Sequence, residues 1–191
     1  MEDLAGLSRF LIPAFWLGWL VVWIVASAGV KPARLREPLL PALYNRVPVL
    51  VGAAMLAAPQ WLPDALTRHV LTGPLCPIMG TMMVFAGLAL ALWARWHLGR
   101  NWSSTVMVKH DHTLIRSGPY RAVRHPIYTG MLLALFGTAL AIGAPRGFIG
   151  AALILVGFMV KMLAEEARMR ETFPAYAEYC RRTARLIPGV F

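Results

Sequence analysis

The sequence predicts an all-α, polytopic integral-membrane helix bundle with about five transmembrane helices. Three observations predict it. Of 191 residues, 58% are apolar and only 15% charged, against roughly 25% charged in an ordinary soluble domain. Five apolar runs approach the length needed to cross about 30 Å of hydrocarbon. The basic residues also gather in alternate connections between those runs, as membrane topology requires. At this length one membrane domain over 1–191 is expected.

The first run, Arg9 to Ala28, follows Glu2 and Asp3 and precedes the first basic cluster. That polarity is wrong for a secretory signal, although Ala26-Ser27-Ala28 imitates a cleavage site, so an uncleaved span is expected. The second, Val47 to Pro63, is short and carries Pro48 and Pro59; the third is Leu75 to Trp96. The fourth, Ile127 to Gly143, and fifth, Gly147 to Leu163, are also short. A partly buried helix or tight hairpin is the alternative to a full crossing for these three. Almost no loop separates the fourth from the fifth, so they should pair antiparallel. Gly130, Ala134, Gly137, Ala141, Gly150, Ala151 and Gly157 would let those two backbones approach closely; alternatively, Gly and Ala are simply common in membrane helices.

If alternate connections share a side, 16 of the 19 Lys and Arg fall on one side, leaving Arg9, Arg68 and Arg146 on the other. The positive-inside rule then puts the N-terminus outside and the C-terminus in the cytoplasm. The net charge of +10 is therefore topological, with the bilayer and its anionic lipid as partner. No nucleic acid is expected, because no basic stripe interleaved with aromatics stands outside these clusters. Cys76 and Cys180 fall near opposite faces of the membrane, so no disulfide joins them and both read as packing residues.

Polar residues with chemical potential concentrate from Trp96 to Tyr128 and from Lys161 onward. Ser117-Gly118-Pro119-Tyr120 is a turn, and His125-Pro126 starts the fourth helix, with Pro where its missing donor costs little. A helix N-terminus there suits anionic groups. Tyr120 and Tyr128 offer aromatic faces and hydroxyls; alternatively they are interfacial belt residues. Glu165 and Glu166 are expensive near lipid unless paired or functional. Lys161 with Glu165, and Glu166 with Arg170, are i,i+4 pairs that could simply stabilise a helix. His97, His110, His112 and His125 bring imidazoles together, but no acidic ligand cluster accompanies them, so no metal is expected.

The run Gly118-Pro-Tyr-Arg-Ala-Val-Arg-His-Pro-Ile-Tyr-Thr-Gly130, preceded by His112-Thr-Leu-Ile115 and followed by Glu165-Glu166, resembles the isoprenylcysteine carboxyl methyltransferase family. Phe173, Tyr176, Tyr179, Arg185, Leu186 and Pro188 match that family's tail as well. The Arg-His-Pro element and paired Glu recur in related membrane phospholipid methyltransferases. The likeness covers Trp96 to Phe191, so 75–191 reads as the methyltransferase core and 1–74 as two helices without a motif.

The resemblance implies a membrane methyltransferase using S-adenosylmethionine in a cytosolic pocket, and no GxG loop follows a strand to suggest a Rossmann site instead. It implies that His112, Thr113, Leu114, Ile115, Tyr120, His125, Pro126, Ile127, Tyr128 and Glu165 bind the cofactor. His125 and Glu166 are the catalytic candidates. The family's Arg one turn before the Glu pair is Lys161 here, a substrate-binding candidate that trades a planar fork for a point charge; the family's loop Gln is Thr105. A carboxylate acceptor needs no base, whereas a phosphatidylethanolamine amine would need His125 or Glu166 to take a proton. The expected function is carboxyl O-methylation of an isoprenylcysteine or similar lipophilic acceptor in a bacterial inner membrane. Alternatives are phospholipid N-methylation, a related membrane reductase, and a non-catalytic bundle or small transporter. The amphipathic tail, with Phe173, Tyr176 and Tyr179 against Glu178, Arg181 and Arg182, is expected to lie on the interface as a C-terminal amphipathic helix and cover the pocket, with Pro174 starting a new helix there.

Overall fold

A computed structural model describes residues 2–27, 39–57, 59–99 and 114–190. They form α1 (Glu2–Ser27), α2 (Leu39–Ala57), a short α3 (Asp64–Thr67), α4 (Leu75–Leu98), α5 (Pro126–Ile142), α6 (Pro145–Thr172) and α7 (Tyr176–Arg182), with 3-10 turns at Pro59–Trp61 and Gly118–Arg121. Among the described residues no strand forms, and one isolated parallel bridge pairs Val123 with Ala184. The protein is an all-α membrane bundle. Gly6–Ser27, Leu75–Leu98 and Pro145–Thr172 are long and apolar enough to cross a bilayer, and Leu43–Ala57 and Pro126–Ile142 are shorter apolar helices.

All five expected helices form, but three have different limits, α1 beginning at Glu2 rather than Arg9. α2 begins at Leu39 rather than Val47 and stops at Ala57 rather than Pro63. Asn45 and Arg46 end an apolar run without ending a helix, whereas Pro59 interrupts hydrogen bonding. α6 likewise continues past Leu163 to Thr172, because Ala, Glu, Arg and Met are strong helix formers whatever their polarity. A 28-residue helix is about 42 Å long, enough to carry Glu165 and Glu166 beyond the apolar layer.

Most of the small residues serve partners other than the expected one. α5 and α6 do form a hairpin, in which Gly147 faces Ala139, but the four glycines expected between them face other helices. Gly130 and Gly137 of α5 lie against Gly87 and Gly80 of α4, where a Cβ on Gly137 would sit 2.7 Å from the Gly80 carbonyl oxygen. Gly150 and Gly157 of α6 lie against Gly52 and Asn45 of α2, with corresponding distances of 2.7 and 2.6 Å to the carbonyl oxygens of Gly52 and Asn45. Helices this close gain dispersion contacts, the main attraction left when lipid is as apolar as the side chains. The bundle is thus two antiparallel pairs, α4 with α5 and α2 with α6, joined by the α5–α6 turn. That turn needs Gly143, whose φ of +65° and closeness to the Leu71 carbonyl exclude a side chain.

α1 runs parallel to α4. Ile12, Val84, Leu88 and Ala134 form their common core with α5, and the Trp16 indole donates to Thr138 Oγ1 at 3.0 Å. Arginines close two helix ends: Arg95 donates to the Ala26 carbonyl at 2.7 Å, and Arg146 to those of Met55 and Leu56 at 2.7 and 2.8 Å. These carbonyls have no partner within their own helices.

Candidate active site

The site is assembled where α4 ends, α5 begins and α6 leaves the apolar layer. Gly118, at φ +57°, opens the 3-10 turn that buries Pro119 and Tyr120. The chain then pairs with the tail: Arg124 N–H donates to the Ala184 carbonyl at 2.9 Å and His125 N–H to that of Arg185 at 3.1 Å. His125 is the N-cap of α5 and Pro126 its first residue, and no side chain caps this helix end. Thr129 Oγ1 reaches the Leu186 carbonyl at 2.8 Å, locking the first turn of α5 to the tail.

Two adjacent carboxylates receive this turn in different ways. Glu165, with its side chain 23% exposed, accepts from the Tyr128 hydroxyl at 2.9 Å and lies 3.8 Å from His125 Nδ1. Glu166 is 1% exposed and sits at the centre of a buried cluster. Its Oε1 accepts from Arg124 Nε at 2.9 Å, His125 Nε2 at 3.2 Å and Arg185 Nε at 3.1 Å; its Oε2 accepts from Arg185 Nη2 at 3.0 Å. Arg170 adds a longer contact at 3.5 Å from an exposed position. A carboxylate among guanidiniums can only accept, so the His125 hydrogen in this contact resides on Nε2. The bond to Glu166 holds the Arg185 guanidinium above its ordinary range. Arg124 also donates to the carbonyls of Cys180 and Thr183.

The expected amphipathic tail helix forms, with its tyrosines packed on the bundle and Arg181 and Arg182 exposed. α7 spans only Tyr176–Arg182, and Tyr176 and Tyr179 are 3% and 5% exposed. The Tyr179 hydroxyl donates to the Tyr120 carbonyl at 2.6 Å, and Arg116 lies over its ring. A buried tyrosine usually finds a hydrogen-bond partner for its hydroxyl, and Tyr179 does. Burial pushes the Tyr179 phenol up to about 12.

The expected site residues therefore separate into groups. His125, Pro126, Ile127, Tyr128 and Glu165 are brought together. Tyr120 is near them, but its hydroxyl points to the Ala94 carbonyl of α4 at 3.4 Å, and burial raises its phenol well above the ordinary range. Leu114 and Ile115, half-buried, lead into the turn. Lys161 stands one helical turn before Glu165, partly exposed. His112, Thr113 and Thr105 lie outside the described residues, as does His110. The sequence reading missed Arg124 and Arg185 as site components. The available signals were the Arg-His dipeptide and an arginine isolated in the tail, but neither names a partner.

The sequence profile of the phospholipid methyltransferase family matches residues 75–176, which takes in α4, α5, α6 and both carboxylates. The chain belongs to the phospholipid methyltransferase family. Among curated relatives, it is 30% identical over 116 residues to a probable protein-S-isoprenylcysteine O-methyltransferase of Oryza sativa subsp. indica, covering 59% of this chain and 61% of that protein. It is 30% identical over 126 residues to protein-S-isoprenylcysteine O-methyltransferase of Saccharomyces cerevisiae, covering 64% and 53%. It is also 31% identical over 97 residues to cobalt-zinc-cadmium resistance protein CzcN of Cupriavidus metallidurans, covering 48% and 43%. The chain thus spans about three fifths or less of each of these relatives. The family's match begins at α4, so α1 and α2 lie outside it.

For a member of this family the donor set matters most. Glu165 offers a partly solvated carboxylate, Tyr128 a ring packed edge-on to Phe158 at 5.0 Å and to His125 at 5.7 Å, and α5 a dipole end without a side-chain cap. Together these suit a ligand carrying a cation, hydroxyls and an anionic group.

Proposed function

We propose that this chain is an integral-membrane methyltransferase that uses S-adenosylmethionine and acts on a lipophilic acceptor, foremost the carboxylate of an isoprenylcysteine or a similar lipid-linked acid. The observation that carries this reading is the cluster of Glu165, Tyr128 and His125 where α5 begins and α6 leaves the apolar layer. The cofactor supplies a methyl group on a cationic sulfur, together with an ammonium, a carboxylate and ribose hydroxyls. Glu165 answers the positive and hydroxyl groups, and the α5 N-terminus with Ile127 answers the anionic one. Tyr128 holds Glu165 and presents its ring, while Leu114, Ile115 and the fixed turn of Tyr120 and Pro126 form the wall. By resemblance, His112 and Thr113 complete it.

What the side chains must do is hold two reactants in line and exclude water. His125 gives its Nε2 hydrogen to Glu166, and Glu166 accepts from Arg124 and Arg185. Both candidate bases are thus engaged, which supports an acceptor that is already ionised. We read Glu166 as positioning His125 rather than as taking a proton. Lys161, a turn before Glu165, supplies a charge for the acceptor carboxylate. The family's description supports a second reading, methylation of a phospholipid amine, with the partly exposed Glu165 as proton acceptor. We place the site in the cytoplasm of a bacterial inner membrane, in keeping with the charge asymmetry.

Calorimetric titration of detergent-purified protein with S-adenosylhomocysteine, with NADPH alongside, tests this. Saturable binding of S-adenosylhomocysteine that is lost in Glu165→Ala is the expected result. Methyl transfer from labelled S-adenosylmethionine to a farnesylcysteine analogue, but not to phosphatidylethanolamine, then separates the two acceptors. NADPH binding alone would make the protein a reductase. Binding of neither by folded protein would leave a non-catalytic bundle or a transporter.

A further inference from the structure

The proposed site explains Glu165 but leaves Glu166 with more partners than a simple ion pair requires. Its neighbours come from four places: Arg124 before α5, His125 at its cap, Arg170 one turn further along α6, and Arg185 in the tail. Arg185 differs from the others. Its Nε and Nη2 take one oxygen each, at 3.1 and 3.0 Å, a two-point grip that fixes the rotation of the carboxylate as well as its place. The oxygen under Nε is the one that receives His125 Nε2 at 3.2 Å. The same residue's carbonyl accepts the His125 main-chain N–H at 3.1 Å. One arginine thus constrains one imidazole twice, through a shared carboxylate and through the backbone.

We infer that Arg185 is a positioning residue of the site, setting the His125 imidazole through Glu166 and the first turn of α5 through the pairing of 183–186 with 123–125. The inference deepens the methyltransferase reading and rests on it. Ordinary surface pairing does not require this geometry. Arg170 faces the same carboxylate at 3.5 Å with its side chain 57% exposed, where water screens most of the attraction. Arg185, 16% exposed, donates through a planar fork that lysine cannot imitate although it keeps the charge. Arg182 is the natural comparison. It lies in the same tail, is 78% exposed and pairs with Glu178 rather than Glu166.

The test uses full-length protein in detergent, titrated with S-adenosylhomocysteine, and the ring-nitrogen spectrum of 15N-histidine-labelled protein with His125→Ala for assignment. Arg185→Lys and Arg185→Gln are expected to weaken binding about tenfold or more, the equivalent of one charge-assisted hydrogen bond. They should also move the His125 ring signals, at unchanged helix content. Arg182→Gln should bind as wild type and leave those signals in place. Should Arg185→Gln fail to fold, Arg185→Lys carries the test alone. Wild-type affinity in the Arg185 variants, with binding still lost in Glu165→Ala, would reduce Arg185 to a tail anchor. If wild-type protein binds no S-adenosylhomocysteine, the methyltransferase reading falls. The positioning role then stands or falls on whether the His125 signals move in Arg185→Lys.

Discussion

Glu165 and Glu166 are consecutive on a helix, so their side chains leave it about 100° apart, and the fold gives them unlike surroundings. Glu165 keeps 23% of its side chain in contact with solvent and Glu166 keeps 1%. Tyr128→Phe removes the hydroxyl that orients Glu165. About 1 kcal/mol of binding, roughly fivefold in the affinity for S-adenosylhomocysteine, should be lost, with the unfolding transition unchanged. Tyr179 makes a pH prediction. Its folded value of about 12 lies above the ordinary value of about 10, so the fold favours the neutral phenol. That contribution is fully present below pH 10 and drains away as pH climbs toward 12. Alkaline difference absorbance of wild type against Tyr179→Phe should show the Tyr179 phenol ionising well above pH 10, with the Arg181–Arg182 bond becoming open to trypsin over the same interval. Ionisation near pH 10 would contradict the docking of α7. At this scale the sequence led to the expectation that His125, Tyr128 and Glu165 share one site, and the fold brings the three into contact. The sequence could not tell that Arg124 and Arg185 meet at Glu166, because 42 and 19 residues of separation are bridged only by the folded tail.

Between elements, glycine positions decide which helices touch. Gly130→Leu would drive a side chain into the backbone of α4, where even an added Cβ would lie 2.7 Å from Ala91 N. A loss of about 1–3 kcal/mol is expected, read as a lower thermal midpoint in detergent. Gly18→Leu on α1 has nothing within 4 Å and should leave the midpoint where it is. Equal effects at the two positions would remove the packing argument. The five apolar helices were legible because lipid imposes length and composition on each one independently. Their pairing was not. A small residue announces a close approach but carries no mark of its partner, so Gly130 and Gly137 face α4 and Gly150 and Gly157 face α2, while Ala151 packs in the core shared with α5. The same limit explains α6, whose charged end stopped the apolar run at Leu163 but not the helix.

Over the whole molecule, the asymmetric placement of 16 of 19 cations underlies the proposed orientation. In a variant freed of Cys76 and Cys180, a cysteine at Asp64 should react with a membrane-impermeant maleimide applied from outside intact cells. One at Arg181 should react only after permeabilisation. The reverse pattern would invert the bundle and move the site to the other face. The two-pair architecture also dictates an order of assembly. A chain emerges N-terminus first, so α4 and α5 can close on each other as soon as both are made. α2 must wait in lipid for α6, the last apolar helix among the described residues. Later still comes the segment that grips Glu166 and accepts the His125 N–H. A polypeptide stalled or clipped just short of Arg185 would therefore keep every span and its place in the bilayer, yet lack the fork and the carbonyl that hold His125. The contacts around His125 thus close only after 183–186 has been made.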